Sequence, residues 1–191
     1  MKKIILTVFA ASSLLLYSTP SFAISLSVGV PIAASFTAKN DNGDAYKADG
    51  SSGYFLGVQL PFGLGLGMDS HSTKIKDDSD KYKIAHTMYN LYYQLPVPVV
   101  SLILGLGTGN SNYDCPDAGF GGANKGKSCA DMWDKGSATQ WYTSVGFPII
   151  PFFDIHLSYR SITSKNVKAK GGDTKQDLGG TITGLGLAFN F

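Results

Sequence analysis

GLGLAFNF, residues 184–191, sets Leu185, Leu187, Phe189 and Phe191 at alternate positions, with Gly184, Gly186, Ala188 and Asn190 between them. A strict period of two is a β-strand with one large apolar face and one face of small residues. A soluble domain would fray at such a segment and finish it with polar residues. The apolar face therefore calls for a partner other than water.

The pattern recurs through the chain. Ile24, Leu26, Val28, Val30, Ile32, Ala34 and Phe36 alternate with Ser25, Ser27, Gly29, Pro31, Ala33, Ser35 and Thr37. Tyr54, Leu56, Val58 and Leu60 repeat it, as do Leu64, Leu66 and Met68, Val100 to Leu106, and Phe153 to Tyr159. Eight segments follow the rule, at about 25–38, 53–61, 63–75, 82–95, 99–112, 138–147, 152–164 and 178–191. The connections alternate in length. Three are tight and proline-bearing, at Gln59–Gly63, Gln94–Pro98 and Gly146–Pro151, and proline sits where a strand stops donating to its ladder. Four are long and polar, at 39–52, 76–81, 113–137 and 165–177. An even number of strands with short turns at one end and long loops at the other predicts an antiparallel up-and-down transmembrane β-barrel. Across the third connection, pairing residues whose numbers sum to 157 brings Leu64 to Tyr93, Leu66 to Leu91 and Met68 to Tyr89, so the apolar faces coincide; sums of 155 or 159 keep the same parity, so the faces are better determined than the register.

The alternate face is mostly Gly, Ser, Ala and Thr, too small and polar to coat a soluble exterior. It suits a narrow lumen, and the large apolar residues suit lipid. Leu56, Leu66, Leu104, Ile155 and Leu187 are predicted to face lipid, whereas Gly105→Ser on the inner face should be mild if the lumen has room. In hydrocarbon every backbone group must be paired, so the sheet must close.

Residues 1–23 open with Lys2 and Lys3, continue with an apolar run from Ile4 to about Tyr17 and finish with Ser21-Phe22-Ala23. This reads as a cleaved secretory signal peptide, leaving 24–191 as the barrel domain. The short-turn end is then the periplasmic end. Without Lys2 and Lys3 the basic count falls from 16 to 14, equal to the 14 acids, which argues against a nucleic-acid partner. Every acid is aspartate, and Arg160 is the one arginine of the sequence.

The terminal Phe191, with Phe189 and Leu187 before it, resembles the C-terminal strand signal of bacterial outer-membrane proteins. The whole of 24–191 resembles the small eight-stranded outer-membrane barrels of the OmpA-, OmpX- and OmpW-like group, in architecture and without a subfamily motif. The resemblance implies a monomer in the outer membrane of a Gram-negative cell, surrounded by lipid and lipopolysaccharide. It also implies delivery by periplasmic chaperones and recognition by the barrel-assembly machinery. It leaves three functions open: a structural barrel or narrow, porin-like passive channel for small solutes; a surface barrel that binds or adheres through its loops; and an outer-membrane lipid-modifying hydrolase. The last rests on His156-Leu157-Ser158, which resembles the catalytic pair of lipid A deacylases. That family uses a glutamate, which this chain lacks, and its site opens to lipid, whereas parity puts His156 and Ser158 inside. The expectation is a non-enzyme.

Cys115 and Cys129 share the longest loop. In an oxidising compartment they are predicted to form a disulfide, and the loop has no histidine to complete a metal site. No cofactor or metal is expected. His71, His86 and His156 take the inward parity, with His71 and His86 opposite each other in the 157 register. They read as polar lumen filler, with a metal site or pH switch as the sharper alternative. Arg160 also points inward. Its guanidinium cannot shed its proton and needs a carboxylate. Asp154 is too far along the same strand, so Asp69 is the candidate across the lumen. Gln59, Gln94 and Tyr142 are possible members of the same cluster, and Gly65, Gly67, Gly105 and Gly107 would leave room. The alternative is an Arg160 that rises to the extracellular mouth and pairs with loop aspartates or water.

Overall fold

A computed structural model describes residues 24–37, 45–76, 82–97, 99–115, 127–165, 167–172 and 175–191. The segment read as a signal peptide, 1–23, and parts of the long connections lie outside the described residues. Alternation over long stretches forces strands, and eight of them pair in a ring. These are β1 (Ser25–Phe36), β2 (Ala48–Gln59), β3 (Leu64–Ile75), β4 (Lys83–Leu95), β5 (Ser101–Asp114), β6 (Gly136–Ile150), β7 (Phe153–Ser164) and β10 (Gly180–Asn190). Each strand is antiparallel to its chain neighbour, and β10 closes on β1, with Ser25 opposite Asn190 and Phe36 opposite Gly180. The β3–β4 ladder takes the 157 register: Leu64 faces Tyr93, Met68 faces Tyr89 and His71 faces His86.

Closure removes every sheet edge, and the outer wall is apolar. Leu56, Leu66, Leu104, Ile155 and Leu187 all lie on the exposed outer face. Tyr54, Tyr89, Trp141 and Tyr159 stand on the same face nearer the loops, where amphipathic rings suit a membrane interface. Among the described residues no helix is long and apolar enough to cross a membrane; the crossing is made by strands.

Three expectations need correction. The first is the even-numbered apolar face of β1, which does not run to Phe36. A bulge between Pro31 and Ala33 leaves Ile32 unpaired and reverses the parity, so Phe36 turns inward and is buried. Pro31 has no N–H to give the ladder, which makes it a natural place for the register to break. The second is the start of β2, at Ala48 rather than 53. Its first residues, Ala48 to Ser52, show no apolar alternation, and their pairing with β3, bulged between Ala48 and Ser51, defines them instead. The third concerns the loops. The 165–177 connection carries a two-residue hairpin, β8 (Val167–Lys168) with β9 (Lys175–Gln176), and the 113–137 connection carries one helical turn, α1 (Cys129–Met132).

Candidate functional site in the barrel lumen

The inward parity of each strand decides what fills the barrel, and small residues there act as sockets for large ones. A Cβ on Gly65 would overlap the Tyr92 ring, one on Gly105 the Tyr142 ring, one on Gly146 the His156 imidazole, and one on Gly107 the Asn90 amide. The room that Gly65 and Gly105 provide is thus taken by tyrosines rather than by Arg160, and Gly105→Ser has no free space to enter.

Arg160 sits between these layers and is 6% exposed, against 1% for Asp69. Its Nε donates to Asp69 Oδ2 at 3.0 Å, across the barrel from β7 to β3. It does not rise to the mouth. Gln140 Nε2, on β6, donates to the same carboxylate oxygen at 2.7 Å and to Asn90 Oδ1 on β4. Arg160 Nη1 donates to the Ser158 hydroxyl, and Ser158 Oγ donates to the Gly184 carbonyl on β10. The guanidinium carbon lies 3.7 Å from the centre of the Phe55 ring and 4.9 Å from that of Tyr142. The charge is therefore met by a carboxylate, a hydroxyl and two π faces in a buried position, where unpaired it would be severely unfavourable. β2, β3, β4, β6, β7 and β10 all contribute to this one layer.

Of the cluster named from sequence, Asp69, Arg160 and Tyr142 come together, and Gln59 and Gln94 do not. Gln94 lies at the turn end, donating to Ser101 Oγ at 3.4 Å, and Ser101 in turn donates to Asp154 Oδ2 at 2.9 Å. Gln59 lines the same end with Ser25 and Asp154. Four members were missed: Gln140, Asn90, Phe55 and Ser158. Their parity was readable, since all four fall on the inward face. Their height in the barrel was not, because it depends on the register of every ladder between them.

The histidines fall on opposite sides of the Arg160–Asp69 layer. His71 and His86 lie toward the loops with ring centres 5.1 Å apart, and His86 Nδ1 and Ser111 Oγ are 2.7 Å apart. Both ring nitrogens of His71 are buried without a hydrogen-bond partner. His156 lies toward the turns, its Nδ1 3.2 Å from Ser144 Oγ and its Nε2 3.9 Å from Asp154 Oδ2. Among the described residues no group of three His, Cys, Asp or Glu side chains is placed to hold a metal ion. Ser158 is bonded to Gly184 and Arg160, not to His156, so the His156–Ser158 pair lacks the nucleophile–base geometry of a hydrolase. Ser144, His156 and Asp154 have the order of a catalytic triad, yet the 3.9 Å gap exceeds hydrogen-bond reach, and the adjoining cavity is only about 60 Å³.

The loop end of the lumen is closed by apolar packing. Phe36 from β1 and Ile84 from β4 meet Val167 and Leu178 from the β7–β10 connection in one buried cluster, with Trp133 and Tyr113 against it. The 113–137 connection is joined to this connection through its backbone. Asp134 N donates to Lys168 O at 2.9 Å, Lys170 N donates to Met132 O at 2.7 Å, and Trp133 bridges to Ala169. Cys115 and Cys129 are disulfide-bonded, with Cα atoms 5.6 Å apart. Asp131, in α1, accepts from the Ser128 N–H and hydroxyl, each at 2.8 Å. Those bonds hold its carboxyl below the usual aspartate range, the backbone N–H contributing most. At the end of β10, Phe191 N donates to Ile24 O at 2.9 Å, and Phe189 packs its ring on Phe153 and Phe191.

No protein-family model and no curated protein matches this chain in sequence. Solved structures match it in fold. Neisserial surface protein A is 16% identical, superposes over 90% of this chain and 98% of its own, and gives a TM-score of 0.64. Outer membrane protein W of E. coli is 9% identical over 87% of this chain and 97% of its own, with a TM-score of 0.52. Outer membrane protein AlkL, solved in lipid bilayers, is 9% identical over 91% and 92%, with a TM-score of 0.52. At these identities the likeness shows the fold, which is that of a small eight-stranded outer-membrane barrel.

Proposed function

We propose that this protein is a monomeric outer-membrane barrel with a structural role, closed to solutes, whose dealings with its surroundings run through its outer wall and loops. The observation that carries the reading is the filled lumen. The Arg160–Asp69–Gln140–Asn90 layer crosses the barrel at mid-height. Phe55 and Tyr142, whose rings meet the guanidinium, join it to Met88, Ile162 and Ile182 on one side and to Tyr92 and Ile103 on the other. The mouth holds the Phe36–Ile84–Val167–Leu178 cluster. An eight-stranded barrel is just wide enough for side chains to fill it, and here they do. A passive channel needs a continuous polar path, and these layers interrupt one. The surroundings that go with this reading are lipid and lipopolysaccharide, with chaperones and the barrel-assembly machinery acting before insertion and Phe191, Phe189 and Leu187 as the assembly signal.

The test is conductance of the refolded barrel in planar bilayers. The wild type should show no discrete steps, and liposomes carrying it should admit no small sugars. Steady single-channel conductance by the folded wild type would overturn the structural reading in favour of transport. Deleting Phe191 should lower folded yield, read by heat-modifiable gel mobility; a normal yield would remove the assembly role.

A further inference from the structure

The charged residues of this sequence are unevenly placed. Between Asp49 and Asp69, between Lys83 and Asp114, between Lys135 and Asp154, and after Asp177 there is no Asp, Glu, Lys or Arg. The first three of these intervals each contain one short turn. Apart from the buried Asp69, Asp154 and Arg160, every charged side chain of the barrel domain thus belongs to the loop half, and the outer surface of the turn end presents none. The turns are apolar: Leu60-Pro61-Phe62-Gly63, Pro96-Val97-Pro98-Val99, and Pro148-Ile149-Ile150-Pro151-Phe152.

Backbone conformation adds a second, independent oddity. The described non-glycine residues with positive φ are Phe62 (67°), Val99 (76°) and Phe152 (81°), one in each short turn. Glycine, asparagine or aspartate takes this conformation most readily, and a β-branched valine is especially unfavourable there. These same side chains are 63%, 84% and 64% exposed on the barrel's own surface. Each turn therefore holds a large apolar side chain outward at a position where local backbone preference favours a small or polar one.

The height of the apolar wall indicates what meets them. On β7 the outward apolar row runs from Phe153 to Tyr159, and on β2 from Tyr54 to Leu60. Six residues at ~3.3 Å each, tilted by about 40°, climb only ~15 Å. The longest row, Ile24 to Ile32 on β1, climbs about 20 Å on the same geometry. An outer-membrane barrel's lipid band is ≈ 25 Å tall. Toward the loops the outward positions become Ser70, Thr87, Thr108, Thr139, Ser161 and Thr181, so the shortfall is not made up there. The exposed apolar residues of the turns, Leu60, Phe62, Val97, Val99, Ile149, Ile150 and Phe152, follow directly on the apolar wall.

We infer that the turn end of the barrel is immersed in the bilayer, with Phe62, Val97, Val99, Ile149, Ile150 and Phe152 seated among the acyl chains of the nearer leaflet. The occupant of this apolar end is lipid, and the wall and the turns form one surface. The inference rests on the membrane-barrel reading but not on the closed lumen.

Depth-resolved fluorescence tests it. Phe62→Trp and Phe152→Trp are each made in a Trp133→Phe, Trp141→Phe background and refolded into phosphatidylcholine vesicles, with folding checked by heat-modifiable mobility. Each is also read as a difference spectrum in the otherwise wild-type protein, in case the tryptophan-free background folds poorly. Both reporters should emit at blue-shifted wavelength, be quenched by lipids brominated on their acyl chains and resist aqueous iodide. Iodide protection should fall as the acyl chains are shortened. Water-like emission and full iodide quenching at every chain length, in a folded barrel, would overturn the inference while leaving the membrane barrel intact. Protection from iodide without bromolipid quenching, together with concentration-dependent cross-linking, would assign the surface to a second copy instead and overturn it as well. A chain that never enters vesicles would instead sink the membrane-barrel reading.

Discussion

The outer wall and the lumen are built from the same strands, one residue out of step, yet they obey different rules. On the wall, Leu26, Leu56, Leu104 and Leu187 ask only for a hydrocarbon solvent, which has no shape of its own. In the lumen each small residue answers one particular large one: Gly105 answers Tyr142, Gly65 answers Tyr92, and Gly107 answers Asn90. A solvent tolerates substitution by any residue of similar polarity. A close-packed interior responds to single methylenes, and a buried ion pair responds to the loss of either member. The same difference in character should appear as a difference in mutational cost.

The sharpest test removes a charge from the lumen. Arg160→Ala leaves Asp69 buried with only Gln140 as a donor, and Asp69→Asn leaves the guanidinium without its counter-charge. Breaking a buried pair in this way typically costs about 3–5 kcal/mol, so either variant should lose a comparable amount in urea unfolding from lipid vesicles. The double change Arg160→Met with Asp69→Leu should recover most of the loss, because apolar residues of similar volume substitute well for buried pairs. A single-variant loss below ~1 kcal/mol, the range of exposed pairs, would mean that water reaches the pair and that burial in the lumen does not shield it.

The wall gives the next largest effect. Leu104→Arg places a charge on the lipid face and should cost about 2–4 kcal/mol near the bilayer centre. Leu104→Ile should cost under ~0.5 kcal/mol, within the range of ordinary surface changes. If Leu104→Ile proves as harmful as an overpacked lumen variant, shape matters on the wall too and the contrast with the lumen collapses.

Gly105→Ser sits between these extremes and separates the sequence reading from the structural one. Parity alone makes it a small polar addition to a roomy lumen. The Tyr142 ring occupies the space that the new Cβ needs, so the variant should lose about 1–3 kcal/mol, as overpacked cores do. Combining it with Tyr142→Ala should give a loss smaller than the sum of the two single changes, which a double-mutant cycle in urea would show. Simple additivity would mean that the introduced serine side chain and the Tyr142 ring do not compete for space.

The contrast also explains what the sequence could and could not disclose. The strand count and the faces follow from a period of two and from three proline turns, because one residue of slip would move every leucine to the wrong side, whereas the β3–β4 register is fixed only up to slips of two residues, which leave the faces unchanged. Arg160 needed a partner on electrostatic grounds, and Asp69 was the inward aspartate on the facing wall. Gln140 and Asn90 were hidden because height in a barrel accumulates over ladders that must all be in register. Phe36 was misread because a single unpaired residue, Ile32, reverses everything after it. The closure over the mouth was hidden for another reason. Trp133, Val167 and Leu178 meet through backbone bonds between two connections that show no periodicity.

That closure offers the smallest effect and the one governed by pH. Asp131 is fully exposed, and its carboxylate holds the Ser128 N–H and hydroxyl at the start of α1, beside the Cys115–Cys129 disulfide. Its carboxyl titrates lower in the folded loop than in an unfolded one, first because of the backbone N–H and next because of the hydroxyl. A depressed carboxyl contributes its stabilisation above the unfolded value and loses it as pH falls through the folded value. The contribution should therefore be complete at neutral pH and disappear only below the ordinary aspartate range. Hydrogen exchange at the Ser128 amide should quicken there, beyond the intrinsic acid dependence of exchange, while the buried amides of β3 and β4 stay protected. Asp131→Asn should show the quickened exchange already at neutral pH and no further step in acid. Equal protection of Ser128 in both proteins across this range would mean that the disulfide and the Asp134–Lys168 and Met132–Lys170 backbone bonds hold the loop without help from the carboxylate.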